Sequence, residues 1–450
     1  VDRAFCEGIN QVVFHTMTCQ KPSEGKPGLE YGAGTHFNPN VTWWNQTAGP
    51  WVSYINRCQA LLQSGLFAAD VLYYNGDWAP NLVGPKHVPA GLGKGYDYDV
   101  CNEEVLLTRL SVQDGKIMLP DGMSYRVLVL PDTTKMPAPV AQKLRELVQA
   151  GATVIGPKPL TDPGLKNHPQ CDDEVKKIGE ELWGGKTGKG RVFADKTERE
   201  ILLADGIQPD FEAAGAPDTF IDFIHRTTPE AEIYFLANRK DRPEKVTATF
   251  RVNGKQPELW DAVSGQRRDL PQFKMENGRT SIPLEFDPNG SMFVVFRKPT
   301  TATAGEGSNF LSLETAQTLE GPWTVQFDKD WFYPATNNVV VFDKLEDWTK
   351  RPEDAVKHFS GTAVYKKTFP VSALPSPVSK VFLDLGAVVE TAKVTLNGKE
   401  LGVVWCDPRR VDITEAIKTG ENELEIEVVN KWPNRLIGDA KLPADQRRTR

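Results

Sequence analysis

The pattern of hydrophobic and polar residues separates a first half with long apolar runs from a second half that alternates. In the second half, segments such as residues 361–369 alternate apolar and polar side chains with period two, which is typical of half-buried strands. The pair Asn397-Gly398 separates two such segments and favours a tight type I′ hairpin turn. We therefore predict a β-sandwich over residues 206–300 and a further all-β domain over residues 301–450. The Thr-, Ala- and Gly-rich residues 299–307 are predicted to link the two.

Most of the first half combines buried strands with helices. Apolar, strand-like runs cover residues 69–74, 125–131 and 153–156. The spacing of apolar residues over 140–150 predicts an amphipathic helix between the last two runs. Strand, helix and strand with short connections predict a Rossmann-like open sheet over residues 68–205. The glycine-rich run 91–95 lacks the GxGxxG spacing, so the sequence does not favour nucleotide binding.

The residues before this sheet predict one strand and one long helix. The strand is predicted over residues 8–16. Residues 48–64 place apolar side chains at spacings of three and four, which predicts a helix, and Gly65 stands where its C-terminal cap would lie. A closed parallel barrel needs many more such units. The chain is therefore expected to begin inside a fold.

Composition narrows the classes of function. The 450 residues are 40% hydrophobic and 25% charged, which is typical of a globular protein with more than one core. The net charge is −7 and no basic run occurs, so the sequence lacks the positive patch that is typical of nucleic-acid-binding proteins. No apolar run is long enough to span a membrane. The six scattered cysteines show no metal-ligand spacing, so free, mostly buried thiols and no metal site are predicted. Motifs of serine hydrolases, zinc proteases and P-loop enzymes are missing from the sequence.

A series of short motifs then follows one order along nearly the whole chain. The motifs are AFCEGIN at 4–10, VFHT at 13–16, GTHF at 34–37, TWW at 42–44, RCQALLQSG at 57–65, ADVLY at 69–73, GYDYD at 95–99 and WPNRLIGD at 432–439. This series resembles family 106 of the glycoside hydrolases, the α-L-rhamnosidases. The alternating C-terminal segments resemble the jelly-roll sugar-binding module of family 2 glycoside hydrolases.

The resemblance implies a fold and an activity. Residues 1–67 would be the last βα units of a (β/α)8 catalytic barrel, and the partner would be a rhamnose-containing oligo- or polysaccharide. Terminal α-L-rhamnosyl linkages would be hydrolysed with inversion by two glutamates, one a general acid and one a general base, at a site supported by Ca²⁺. Both glutamates and the calcium ligands are expected upstream of Val1, so this chain alone is expected to be inactive. A secreted or periplasmic location follows from the substrate class alone.

Six residues near the predicted barrel strand are candidate sugar ligands: His15, Thr16, His36, Trp43, Trp44 and Asn45. His15 and Thr16 end the predicted strand, at the side where barrel enzymes place their active sites, and an imidazole can hydrogen-bond sugar hydroxyls. Indole faces can stack on the apolar C–H faces of sugars. Two adjacent tryptophans can equally anchor the following helix, and that interpretation stays open.

Three further groups are each open to a functional or a structural interpretation. Glu7 precedes the predicted strand, so an ion pair on the outer helix is expected rather than catalysis. Asp97 and Asp99 could offer oxygens to calcium or could tie down a loop. The C-terminal set could form a sugar subsite or serve packing, and consists of Trp405, Asp407, Arg409 and Arg410.

Three alternative functions remain at this point. A β-galactosidase-like hydrolase also combines a barrel with a Rossmann-like domain, and upstream sequence would distinguish it. A non-catalytic set of carbohydrate-binding modules would bind sugar without turnover. A purely structural fragment would bind no sugar at all.

Overall fold

The computed structural model describes residues 1–15, 19, 21, 25–28, 37–86, 89–333, 337–374 and 380–449, with the side chains of Asn45 and Gln46 left out. The chain divides into two compact units. The first unit comprises residues 1–10, 60–261 and 266–310, and the second comprises residues 11–59, 262–265 and 311–450. Within the described ranges, no helix has the length and apolar character needed to cross a membrane.

Helices are the secondary-structure elements in the described part of the N-terminal region. Its helices are α1 (Asp2–Cys6), α2 (Trp44–Thr47) and α3 (Gly49–Leu62). The long helix predicted over 48–64 is confirmed, whereas the strand predicted over 8–16 is wrong for its described residues. A strand needs a neighbour to complete its hydrogen-bond ladder, and residues 9–15 pair with no strand in the part of the chain that the structure describes. The backbone N–H of Val12 instead donates to the side-chain oxygen of Gln59.

An α/β layer follows in the first unit. Its elements are β1 (Leu66–Phe67), β2 (Val71–Tyr74), β3 (Tyr98–Cys101), α4 (Glu103–Arg109), β4 (Ser111–Gln113), β5 (Lys116–Met118), β6 (Ser124–Tyr125), β7 (Val127–Val129), α5 (Ala138–Ala150), β8 (Thr153–Ile155), α6 (Gln170–Trp183), β9 (Arg191–Phe193) and α7 (Glu198–Ala204). The main sheet is parallel with the order β3-β2-β7-β8-β9. Every residue of β7 and β8 is buried because helices cover a parallel sheet on both faces. The apolar runs and the helix predicted here are confirmed.

Two antiparallel sheets make up the rest of the first unit. Their strands are β10 (Phe211–Ala214), β11 (Ile221–Thr227), β12 (Glu232–Asn238), β13 (Glu244–Phe250), β14 (Lys255–Trp260), β15 (Arg267–Asp269), β16 (Phe273–Glu276), β17 (Arg279–Phe286), β18 (Ser291–Pro299) and β19 (Ala304–Gly305). The sheet orders are β1-β11-β12-β18-β14-β15 and β10-β13-β17-β16-β19. Aromatic side chains such as Tyr234, Phe250 and Phe296 fill the core between the sheets. The segment predicted as a linker over 299–307 is therefore partly sheet, because β19 pairs with β16.

The second unit ends in a region that consists mainly of β-strands. Its elements are β20 (Trp323–Phe327), β21 (Val339–Phe342), α8 (Asp354–Lys357), β22 (Thr362–Val371), β23 (Phe382–Asp384), β24 (Thr391–Leu396), β25 (Lys399–Val404), β26 (Arg410–Asp412), β27 (Gly420–Val429) and α9 (Pro433–Asp439). One sheet has the order β21-β20-β22-β27-β24-β25, and β23 pairs with β26. The predicted hairpin is confirmed: Asn397 and Gly398 join β24 to β25 with φ values of 52° and 78°.

Candidate functional site

A pocket of about 350 Å³ opens in the second unit. Its wall is formed by Phe37, Trp43, Thr47, Trp51, Glu390, Thr391, Trp405 and Lys431. The first four come from the segment around α2 and α3. The other four come from one end of the C-terminal sheet, since the antiparallel register brings the start of β24 beside the ends of β25 and β27. Residues that are distant in the sequence thus share one pocket.

Helical spacing explains the aromatic side of the pocket. Trp43, Thr47 and Trp51 follow one another at intervals of four residues, which places them on one face of the helical segment. The Thr47 hydroxyl donates to the Trp43 carbonyl at 2.8 Å. The Trp51 ring packs edge-on against Trp43 at 5.8 Å between centroids and lies parallel to Phe37 at 6.1 Å. The indoles are therefore held rigidly by their neighbours.

The sheet end contributes Trp405 and three polar side chains to the pocket wall. Lys431 Nζ lies 3.0 Å from Glu390 Oε1. Glu390 has a φ of 68°, and its carbonyl accepts a hydrogen bond from Arg409 Nη1 at 2.9 Å. A non-glycine residue in this left-handed conformation is strained and needs such support. The ion pair is half-exposed at the pocket, so its ammonium and carboxylate are available to a ligand.

One buried donor in the pocket wall lacks a hydrogen-bond partner among the described residues. The indole N–H of Trp43 makes no hydrogen bond to any residue that the structure describes. The nearby Thr391 hydroxyl, by contrast, donates to the Thr47 hydroxyl at 2.8 Å. Apolar ring faces with a few convergent polar groups are the usual composition of a small-molecule site, and the same combination suits the C–H faces and hydroxyls of a sugar.

Comparison with known proteins decides the family. The profile of glycoside hydrolase family 106, described as alpha-L-rhamnosidase, matches residues 1–275, which is more than half of the chain. The chain belongs to glycoside hydrolase family 106. A second profile, the galactose-binding domain-like region of glycosyl hydrolase 2, matches residues 323–447 of this family 106 chain. The resemblance drawn from the ordered motifs is confirmed.

Two relatives illustrate the match of this family 106 chain. The rhamnosidase from Novosphingobium sp. PP1Y has a similar structure, with a TM-score of 0.90 and 35% identity, covering 100% of this chain and 43% of that one. A protein from Formosa agariphila that is provisionally named a beta-glucuronidase is 28% identical, over 99% of this chain and 56% of its own length. The chain therefore spans about half the length of the relatives it matches.

Some of the predicted sugar ligands line the pocket in the structure and others do not. Trp43 lines the pocket, whereas Trp44 packs against Phe37 at 5.3 Å and against Trp43 at 5.7 Å. His15 is exposed, and the strand end that supported it as a ligand does not form. Thr16, His36 and the side chain of Asn45 lie outside the described residues, so these three predictions stay predictions.

The sequence left one other wall residue of the pocket as an open candidate and gave no prediction for several more. From the C-terminal candidate set, Trp405 lines the pocket. Arg409 pairs with Asp407 at 3.3 Å and supports Glu390 from behind. Trp51, Glu390 and Lys431 were not predicted as ligands. Helical spacing from Trp43 could have pointed to Trp51, whereas no local signal marks the other two.

The carboxylates considered for calcium do not fit a calcium site. Asp97 is buried and accepts from Lys86 Nζ at 2.7 Å; burial raises the pKa of its carboxyl to about 6, although Lys86 opposes that rise. Asp99 accepts from the Tyr125 hydroxyl at 2.8 Å. Both carboxylates thus already bind protein donors. No cluster of three or more His, Cys, Asp or Glu side chains suited to a metal occurs among the described residues.

Glu7 forms an ion pair on helix α1, as the sequence led us to expect. Its carboxylate lies 2.6 Å from Arg3 Nε, one turn earlier along α1. A solvent-exposed pair at this spacing contributes little to helix stability, because water screens the two charges. This contact agrees with the prediction that Glu7 bonds on the outer helix.

Proposed function

We propose that the protein hydrolyses terminal α-L-rhamnosyl linkages in glycans, and that the aromatic pocket of this chain binds one sugar residue of the substrate. The observation that carries the proposal is the set of three tryptophans around the Glu390–Lys431 ion pair in a family 106 chain. The rhamnosidase of Novosphingobium sp. PP1Y, with which the chain shares its fold, supports the choice of sugar.

The chemistry of rhamnose suits this wall. A 6-deoxyhexose carries a methyl group in place of a hydroxymethyl group, so it presents more apolar surface than most hexoses. The indoles of Trp43, Trp51 and Trp405 offer ring faces and edges for that surface. The Lys431 ammonium can donate to a sugar hydroxyl, and the Glu390 carboxylate can accept from one.

The pocket is suited to binding rather than to bond cleavage. Inverting hydrolysis needs two carboxyl groups roughly 6.5–9.5 Å apart, one to protonate the leaving oxygen and one to activate water. Among the described wall residues, Glu390 is the sole carboxylate, and Lys431 already neutralises it. The proposal therefore assigns the general acid and base, and the calcium ligands, to residues outside the described part of this chain. A secreted or periplasmic location belongs to the same proposal because polymeric glycans are met there.

The test compares this chain with the full-length product of the gene that encodes it. Both proteins are assayed on an aryl α-L-rhamnoside, an aryl β-D-galactoside and an aryl β-D-glucuronide, with calcium and with a chelator. We expect turnover of the rhamnoside by the full-length product and none by the chain alone. Cleavage of the galactoside or the glucuronide in place of the rhamnoside would overturn the proposal, and so would hydrolysis by the chain alone.

A further inference from the structure

A second cavity lies in the first unit, with a volume of about 480 Å³. It is surrounded by the loop over residues 93–96, by α7, by β10 and by the residues around the start of β11. Phe220 contributes an exposed ring to the wall, and Tyr96 contributes a buried one. A cavity of this size accommodates a monosaccharide or a slightly larger ligand.

The acidic side chains of this wall are already neutralised. Each of the three acidic residues that line the cavity forms an ion pair with an arginine of the same unit. The pairs are Glu7–Arg3 at 2.6 Å, Glu212–Arg279 at 2.7 Å and Asp222–Arg239 at 3.2 Å. The cavity lysine Lys86 is likewise paired, with Asp97 at 2.7 Å. None of these groups leaves a net charge in the cavity.

Two cations on the wall remain uncompensated. Neither Lys94 nor Arg199 has a carboxylate within 4.0 Å in the part of the chain that the structure covers. Arg199 Nη1 donates to the carbonyls of Leu92 at 3.3 Å and Lys94 at 2.8 Å, and its guanidinium lies 5.2 Å from the centre of the Tyr96 ring. The Nε and Nη2 groups of Arg199 make no hydrogen bond to described residues, which leaves them available to a ligand.

The glycine-rich run carries Lys94 and passes directly beside Arg199, which donates to its backbone. Gly93 has a φ of 68°, and a Cβ there would lie 3.1 Å from Arg199 Nη1, so a side chain would crowd the guanidinium. Gly95 has a φ of 95°, and a Cβ would lie 2.7 Å from the Phe211 carbonyl oxygen. Lys94 stands between these glycines with its ammonium 5.4 Å from the centre of the Phe220 ring. The run therefore shapes a cationic edge beside an aromatic surface.

We propose that this cavity binds a hexuronate, a sugar that carries one carboxylate. Lys94 and Arg199 would bind the carboxylate, since a guanidinium with two free donors suits a planar anion. The Phe220 ring would contact the C–H face of the sugar. The paired carboxylates of Glu212 and Asp222 would accept from its several hydroxyls, whereas inorganic phosphate at neutral pH offers only one or two hydroxyls and has no C–H face for the Phe220 ring. This site is separate from the aromatic pocket and does not depend on rhamnosyl chemistry.

The proposal is tested by calorimetric titration of the chain with D-glucuronate, D-galacturonate, D-glucose and inorganic phosphate. We expect binding of at least one uronate that weakens as salt rises, and at least tenfold weaker binding of glucose and of phosphate. Absence of uronate binding, equal binding of glucose, or equal binding of phosphate would each overturn the proposal. Rhamnoside hydrolysis is not a readout here, so failure of this proposal leaves the proposed activity untouched.

Single-residue substitutions test whether the uronate binds at Lys94 and Arg199. Lys94→Met removes an exposed charge, so the fold is preserved, and we expect at least a tenfold loss of uronate affinity. Arg199→Met is expected to act similarly, with partial recovery in Arg199→Lys. The matched control is Lys245→Met on β13, where a lysine that is 78% exposed pairs with Glu285. Equal affinities of Lys94→Met and Lys245→Met would contradict the assignment, whether or not the Arg199 variants fold.

Discussion

Among single residues, His225 on β11 shows most directly how burial and charge act against each other. Its Nδ1 lies 2.9 Å from Asp210 Oδ2, its Nε2 lies 3.0 Å from Glu232 Oε2, and its ring stacks on Tyr234. Burial disfavours the imidazolium, but the two carboxylates outweigh burial and raise the pKa of His225 to about 9. The charged form therefore belongs to the native state at neutral pH.

The raised pKa makes a pH-dependent contribution to stability. Because the unfolded imidazole titrates near 6.5, the contribution of His225 is full below that pH and is lost as the pH rises through about 9. We expect His225→Gln to lower the free energy of unfolding by ~3 kcal/mol more at pH 6 than at pH 10, as measured by urea unfolding. Ile224→Ala, which removes buried surface on the same strand without a titratable group, should cost the same free energy at both pH values. An equal loss for His225→Gln at both pH values would contradict this account.

The sequence does not reveal the surroundings of His225. It shows a histidine within an alternating strand, which predicts the strand but no partners. Glu232 reaches it through the β11–β12 hairpin, and Asp210 precedes β10 in the other sheet. Such a network depends on tertiary register, and a single sequence does not specify register between sheets.

At the scale of elements, the predicted helices, strands and turns agree with the structure where the local sequence signal is strong. The Asn397-Gly398 hairpin and the helix α5 form as predicted because turn chemistry and helical periodicity act within a few residues. The strand predicted over 8–16 does not form over its described residues 8–15, because a strand is completed by its neighbours and the local pattern does not provide them. Residues 304–305 join a sheet despite their linker-like composition, since β16 offers an edge.

The connection from α3 to β1 gives a test at this scale. Gly65 has a φ of 61°, and a Cβ there would lie 2.0 Å from the Thr227 carbonyl oxygen. Gly206, which follows α7, has a φ of 76° and no atom within 4 Å of a built Cβ. We expect Gly206→Ala to cost about 1 kcal/mol of backbone strain and Gly65→Ala to cost clearly more, because backbone must also shift. Urea unfolding measures both, and equal costs would refute the steric argument.

At the scale of the whole molecule, the sequence identifies the protein family better than it identifies the residues of the pocket. The ordered motifs led to family 106, and the change from apolar runs to alternation indicated α/β and all-β regions. The aromatic pocket was predictable only through Trp43 and the open candidate Trp405. Glu390 and Lys431 share the pocket wall with Trp51 although more than three hundred residues of sequence separate them from it, and no pattern in a single sequence predicts that arrangement.

Calcium dependence also belongs to this scale. The carboxylates of Asp97 and Asp99 bind Lys86 and Tyr125, so a cation is not needed to neutralise them. We expect a chelator to leave the thermal unfolding midpoint of this chain unchanged, as measured by calorimetry with and without added calcium. A drop of several degrees on chelation would show that residues of this chain hold the ion.

The most direct test of the central claim is titration of this chain with L-rhamnose. We predict saturable binding that weakens roughly tenfold or more in Trp51→Ala and in Trp405→Ala, because each loses an aromatic contact and its buried area, and about 1.4 kcal/mol corresponds to tenfold. Trp78→Ala is the matched control, since Trp78 is 53% exposed in the other unit. Unchanged affinity in both pocket variants, or an equal loss in Trp78→Ala, would show that the pocket does not bind the sugar.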